Sequence, residues 1–224
     1  LTTSELEGLT FTPDANSNGT TYGSFSYSVS DGNGGSDTRA VTFSVDAVND
    51  APNAGIIVTE LAPTENTTAL TTFTATDADG VSPTFSIQGT ELEITAEGVL
   101  SFKANPDYET KSTYVMIVTA SDGASSTTQD ITVNVTNVND VTPVFTSPVT
   151  FSAAENQTSI GTVTAVDSDS KSITFSIPNS EILAITPAGV LSFRSAPDYE
   201  VKSSYTTTVT VSDGTLATSE DITV

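Results

Sequence analysis

The chain of 224 residues has no cysteine, no histidine and no tryptophan, and it carries only six lysines and arginines against 28 aspartates and glutamates. Without cysteine there can be neither a disulfide nor a thiolate metal site, so stability must come from packed cores and from hard, oxygen-seeking cations. Without histidine or cysteine the usual nucleophile and base pairs cannot form, and nothing points to an enzyme. The lack of tryptophan removes the usual stacking platform for a sugar or a base, and Phe73, Phe85, Phe102, Tyr108 and Tyr114 read as core aromatics. A formal net charge of −22 would repel a phosphate backbone or an anionic membrane surface, so no nucleic-acid partner is expected. No apolar run is long enough to span a bilayer, so no membrane insertion is expected in this segment. No charged, apolar and small-residue leader stands ahead of it, and a start at Leu1 reads as an internal piece of something longer.

What the chain does have is self-similarity. Asp31, Asp122 and Asp213, each in a Ser-Asp-Gly step, recur at intervals of 91 residues. Glu65 and Glu155 are 90 apart, as are the pairs Asp77/Asp79 and Asp167/Asp169, and two Pro-Asp-Tyr-Glu steps place Asp107/Glu109 and Asp198/Glu200 at an interval of 91. A period of this size means modules in series. The expected divisions are 1–50, 51–140 and 141–224, with the first module cut short and the last lacking its trailing linker.

Within a module the pattern is that of strands. Phe25-Ser-Tyr27-Ser-Val29, Val41-Thr-Phe43-Ser-Val45, Ile131-Thr-Val133-Asn-Val135 and Thr207-Thr-Val209-Thr-Val211 alternate apolar with polar, and Asp-Gly turns interrupt them at short intervals. In the middle module strands are predicted near 57–61, 69–76, 82–88, 91–95, 98–103, 113–121 and 127–137. The fold class is therefore all-β: tandem Greek-key sandwiches of immunoglobulin-like or cadherin-like type in a linear array. Residues 1–50 hold only the later strands of such a module, with Leu9-Thr-Phe11 matching Leu100-Ser-Phe102. A half sandwich exposes an edge and an apolar face, so this part should be poorly ordered or pair with something else.

The residues Glu65-Asn66, Asp77-Ala-Asp79, Pro106-Asp-Tyr-Glu109, Ser121-Asp-Gly123 and Asn137-Val-Asn-Asp-Val-Thr-Pro143, with their copies in the third module, carry a specific resemblance. The sequence resembles tandem cadherin-like repeats as found in very large bacterial surface adhesins, of RTX type or similar. The match covers essentially the whole chain, with four motifs in fixed order.

The resemblance implies calcium held between modules. At the second junction it assigns Glu65, Asp107, Glu109, Asn137, Asn139 and Asp140 from one side and Asp167, Asp169 and Asp213 from the other, with backbone oxygens of Val138 and Val141 filling in. Seven carboxylates there would nearly be neutralised by about three divalent ions. Calcium accepts six to eight oxygens in flexible geometry, whereas magnesium demands a strict octahedron. At the first junction the set thins to Asp14, Asn16, Asn49, Asp50, Asp77, Asp79 and Asp122, and fewer or weaker ions are expected. Glu155, Asp198 and Glu200 make half a site.

Two other readings stay open beside this one. Singly, each Asp suits a turn that caps its own backbone, or a solvated acidic surface; only the phasing argues for ligands. The leading function is a calcium-stiffened extracellular spacer of a cell-surface adhesin, secreted and bacterial. The alternatives are repeats that adhere directly, to a like repeat or a polysaccharide, and an accessory module of a secreted carbohydrate-active enzyme.

Overall fold

The computed structural model describes residues 7–55, 59–169 and 172–224. Every element is a strand. The chain divides into two compact units: Leu1–Leu61 with Thr68–Ala104 and Tyr114–Val133, and Ala62–Thr67 with Asn105–Thr113 and Asn134–Val224. This division does not follow the 90-residue period, because the loops that carry Glu65, Asp107 and Glu109 group with the third repeat.

In the first unit, β1 (Gly19–Ser30) and β2 (Ser36–Val45) form an antiparallel hairpin that pairs Phe25 with Val41 and Val29 with Asp37. Asp31 closes its turn by accepting N–H bonds from Asn33 at 2.8 Å and Gly35 at 3.0 Å. Those two donors hold the Asp31 carboxyl below its usual range.

The middle sandwich follows as β3 (Asn53–Ala54), β4 (Glu60–Leu61), β5 (Ala69–Thr72), β6 (Ala75–Thr76), β7 (Thr84–Gln88), β8 (Leu92–Ile94), β9 (Val99–Phe102), β10 (Thr113–Ser121) and β11 (Ser126–Asn134). One sheet runs β4-β11-β10-β7, another β5-β9-β8, and β3 pairs with β6. Period-two burial is clearest on β10, where Tyr114, Met116, Val118 and Ala120 are buried while Val115 and Ile117 face out.

Three sequence expectations need adjustment. The stretch 69–76 is two strands: the Phe73 N–H bonds Gly98 O, while Thr74 O accepts from the Gly55 N–H, so the chain leaves one sheet for another at this corner. That step also creates β3, which two residues of periodicity could not announce. Of 57–61, only Glu60–Leu61 is a strand, and 56–58 lie outside the described residues. Tyr108 is not core but exposed, because it sits in a loop whose backbone, not its ring, is engaged.

The second unit repeats the plan with β12 (Val144–Phe145), β13 (Ser159–Thr162), β14 (Ala165–Val166), β15 (Thr174–Ser176), β16 (Leu183–Ile185), β17 (Val190–Phe193), β18 (Thr206–Ser212) and β19 (Ala217–Thr223). Its sheets are β15-β18-β19 and β13-β17-β16, with β12 paired to β14. Val163, Phe175, Leu191, Val209, Val211 and Ile222 form its core. Phe193 meets Tyr205 edge-on at 5.1 Å, as Phe102 meets Tyr114 at 4.9 Å.

Gly98 and Gly189 hold one equivalent corner, at φ 94° and 88°. A Cβ at Gly189 would run into the Val163 carbonyl and crowd the Phe175 ring, on a left-handed backbone that L side chains disfavour. Gly189→Ala is therefore expected to lower unfolding free energy by about 2–4 kcal/mol. Chemical denaturation with and without calcium would measure it; an unchanged midpoint would contradict the packing account.

Candidate metal centre

Glu65 is the one buried charged side chain among the described residues, at 3% exposure. Its loop is held by its own N–H to Thr136 O at 3.1 Å and by the Asn66 N–H to Pro106 O at 3.0 Å. From there Oε1 accepts the Val138 N–H at 2.6 Å and Oε2 accepts the Tyr108 N–H at 2.8 Å. One carboxylate thus joins the Asp-Tyr-Glu loop to the segment 136–140.

Around it the second unit collects further acid. Carboxylate oxygens of Glu65, Glu109, Asp140 and Asp169 all lie within 4.8 Å of one another. Asp169 Oδ2 accepts the Asp140 N–H at 2.8 Å and also the Val141 N–H. The Val141 N–H is the main reason its carboxyl lies below the ordinary range. Glu109 moves the other way: desolvation, then the hydrogen bond to Asp169, pushes it up to about 7. Four carboxylates this close repel strongly, and a cation among them would relieve that repulsion.

Each aspartate in a turn uses one oxygen locally. Asp213 Oδ1 accepts from the Thr215 N–H at 2.6 Å and the Leu216 N–H at 2.7 Å, and these bonds hold its carboxyl low. Asp167 Oδ1 accepts the Asp169 N–H at 2.9 Å. The second oxygen is another matter. Asp169 Oδ1, Asp213 Oδ2 and Asn139 Oδ1 are buried with no hydrogen-bond donor. Buried oxygens in that condition cost free energy unless something positive reaches them. The turn reading and the ligand reading are therefore compatible, one oxygen for each.

Among the remaining expected residues, Asp107 turns both oxygens to Thr110, accepting its N–H at 3.0 Å and its hydroxyl at 2.8 Å. Those bonds keep its carboxyl low. Asp107, Asp167 and Asp213 stand outside the group of four. The Asn137 amide donates to Glu109 Oε1 at 3.2 Å. Val138 and Val141 take part through their N–H groups, which bond Glu65 and Asp169. One participant was not assigned a role from sequence: Asn66, at φ 61°, donates its side-chain amide to Asp140 Oδ2. The recurrence of Glu-Asn at 65–66 and 155–156, with φ 63° at Asn156, was the available signal.

The first junction set lies in the first unit. Asn49 donates to Asp122 Oδ2 at 2.9 Å, and Asp79 Oδ2 accepts the Asp50 N–H at 2.7 Å. Asp122 Oδ1 takes the N–H groups of Ala124 and Ser125, and Asp77 Oδ2 is buried with no donor. Asp14, Asn16, Asp50 and Asp79 line one shallow cavity. Among the described residues these acids do not gather as closely as the four around Glu65. At the far end of the second unit the exposed trio Glu155, Asp198 and Glu200 does come within 4.8 Å.

Comparison with solved structures settles the architecture. Mouse cadherin-23 repeats EC22-24 superpose with a TM-score of 0.74 at 21% identity, covering 90% of this chain and 73% of that one. Human protocadherin-24 EC1-2 gives 0.64 at 21% identity, over 79% of this chain and 95% of that one. The fold is that of cadherin ectodomain repeats. In sequence, the cadherin-like chain is 33% identical to human cadherin EGF LAG seven-pass G-type receptor 2 over 70% of its length. It is 32% identical to human protocadherin-15 over 62%. It spans only 6% and 8% of those proteins. Residues 1–44 match the family model described as Bacterial Ig domain. The cadherin-like segment is built of β-sandwiches, and among the described residues no helix is long and apolar enough to cross a membrane.

Proposed function

We propose that this cadherin-like segment is a calcium-stiffened extracellular spacer of a bacterial cell-surface adhesin, with repeats divided near residues 50 and 140. The observation that carries the reading is the convergence of Glu65, Glu109, Asp140 and Asp169 beside the donorless oxygens of Asp169, Asp213 and Asn139. An all-oxygen, strongly anionic set suits calcium, and the absence of histidine and cysteine leaves zinc and copper no preferred ligand. These six residues would hold the ion, with Asp107, Asn137 and Asp167 close by in sequence and the backbone oxygens of Val138 and Val141 as further candidates. Calcium supplies the positive charge that lets the segment 136–141 stay clamped to the loops at 65, 107–109 and 167–169. Neutralised in this way, the linker is stiff; with bare charge it loosens, so the array's length and rigidity follow external calcium. The thinner set from Asp14 to Asp122 would bind fewer ions, and the trio at Glu155 would bind weakly.

Small-angle scattering across a chelator titration tests this. The maximum dimension is expected to fall and the flexibility to rise as calcium is withdrawn; a scattering curve indifferent to chelator would defeat the spacer mechanism. A local test uses Asn66→Gly, which keeps the left-handed backbone but removes the amide held against Asp140. Terbium luminescence should report a roughly tenfold weaker site, with the melting curve in chelator little changed.

A further inference from the structure

The turn that joins β1 to β2 is one residue longer than its two counterparts. Five residues separate Ser30 from Ser36, against four between Ser121 and Ser126 and four between Ser212 and Ala217. In the shorter turns the aspartate clamps two consecutive N–H groups, those of Ala124 and Ser125 on Asp122 Oδ1 and those of Thr215 and Leu216 on Asp213 Oδ1. Asp31 Oδ1 also accepts two, but from Asn33 and Gly35, so Gly34 is skipped. The Asp31 N–H goes to Gly35 O at 3.1 Å and the Gly32 N–H to Ser30 Oγ at 3.3 Å. Among the described residues nothing accepts the Gly34 N–H, and the Asn33 side-chain amide has no partner either.

An asparagine is thus followed by a glycine whose nitrogen is uncommitted. All five turn residues are exposed, and a Cβ on Gly34 would meet no atom within 4 Å, so nothing shields that peptide. This exposure does not come from the repeat being incomplete. Ala124 in the middle repeat and Thr215 in the last, at the place matching Asn33, are exposed too. The other Asn-Gly step, Asn18-Gly19, differs: Gly19 already lies in β1 opposite Val45, where paired, extended backbone holds its nitrogen.

We propose that Asn33 is a self-modification site that converts, with water, to aspartate and isoaspartate. The Gly34 nitrogen loses its proton and bonds Asn33 Cγ, while the Cγ–Nδ2 bond breaks and Nδ2 leaves with that proton as ammonia. The resulting five-membered imide takes up one water. Opening at the side-chain carbonyl gives aspartate; opening at the main-chain carbonyl gives isoaspartate, whose backbone runs through Cγ. No electrons are transferred, so water is the one co-reactant. Either product adds a negative charge two residues from Asp31. The reaction uses no metal and is independent of the calcium reading.

The test is incubation of the whole chain at mildly alkaline pH, with peptide mapping by mass spectrometry over time. Asn33 is expected to convert at least about tenfold faster than Asn18, and within about threefold of a free peptide of residues 27–39. Deleting Gly34 tests the cause. Asn33 is then followed by Gly35, so the Asn-Gly step survives, but the turn has four residues and the next N–H is clamped on Asp31. Conversion at Asn33 should slow at least about tenfold in that variant, and Asp31→Ala added to it should restore the rate. Equal rates in the five-residue and four-residue turns would overturn the proposal. So would an unmodified chain in which Asn33 converts no faster than Asn18, or stays intact while the free peptide reacts.

Discussion

Glu65→Ala is expected to destabilise the protein by about 2–5 kcal/mol even in chelator, and to abolish metal binding at its site. The first effect needs no ion. Glu65 is nearly fully buried and accepts two backbone N–H groups, from Tyr108 and Val138. Removing the carboxylate strands both donors, and each buried orphan costs about 1–3 kcal/mol. Glu155→Ala is the internal control. That residue is exposed and accepts one bond, from the Tyr199 N–H at 3.1 Å, so its loss should barely move the denaturation midpoint. Similar midpoints for the two variants would show that burial at Glu65 is not what holds the loop.

Asp169→Ala should lower calcium affinity at the same site by at least ~100-fold, while both sandwiches remain folded. Its Oδ2 fixes Asp140 and Val141, and its Oδ1 is one of the donorless buried oxygens, so the substitution removes an organiser and a ligand together. The core of Val163, Phe175, Leu191, Val209, Val211 and Ile222 does not include it. Asp140→Ala should behave alike. Isothermal titration gives the affinity and near-ultraviolet dichroism the packing. Loss of the aromatic signal would make these acids structural supports instead.

A comparison of particular positions shows how far the sequence could be read. Period-two runs located β10, β11 and β18 to within a residue or so at most ends, because a half-buried strand writes its register into every second side chain. Short strands at corners, such as β3, left no such trace. The phased acids pointed to the right loops, but nothing in the sequence could tell that Asp213 uses one oxygen for its turn and leaves the other bare. Asn66 acts through its side-chain amide, and in sequence such an Asn looks like any other loop Asn. Tyr108 reads as a core aromatic by residue type, yet its side chain is exposed and its backbone N–H is what Glu65 holds.

By itself, then, the amino-acid order determined an all-β array, its period, and which residue types could meet a hard cation, since alternation, turn chemistry and charge are local or periodic properties. Only the tertiary structure decided which carboxylates converge and which are already committed to nearby N–H groups. Those outcomes depend on distances between segments 30 to 100 residues apart, and on burial, which is a property of the packed whole.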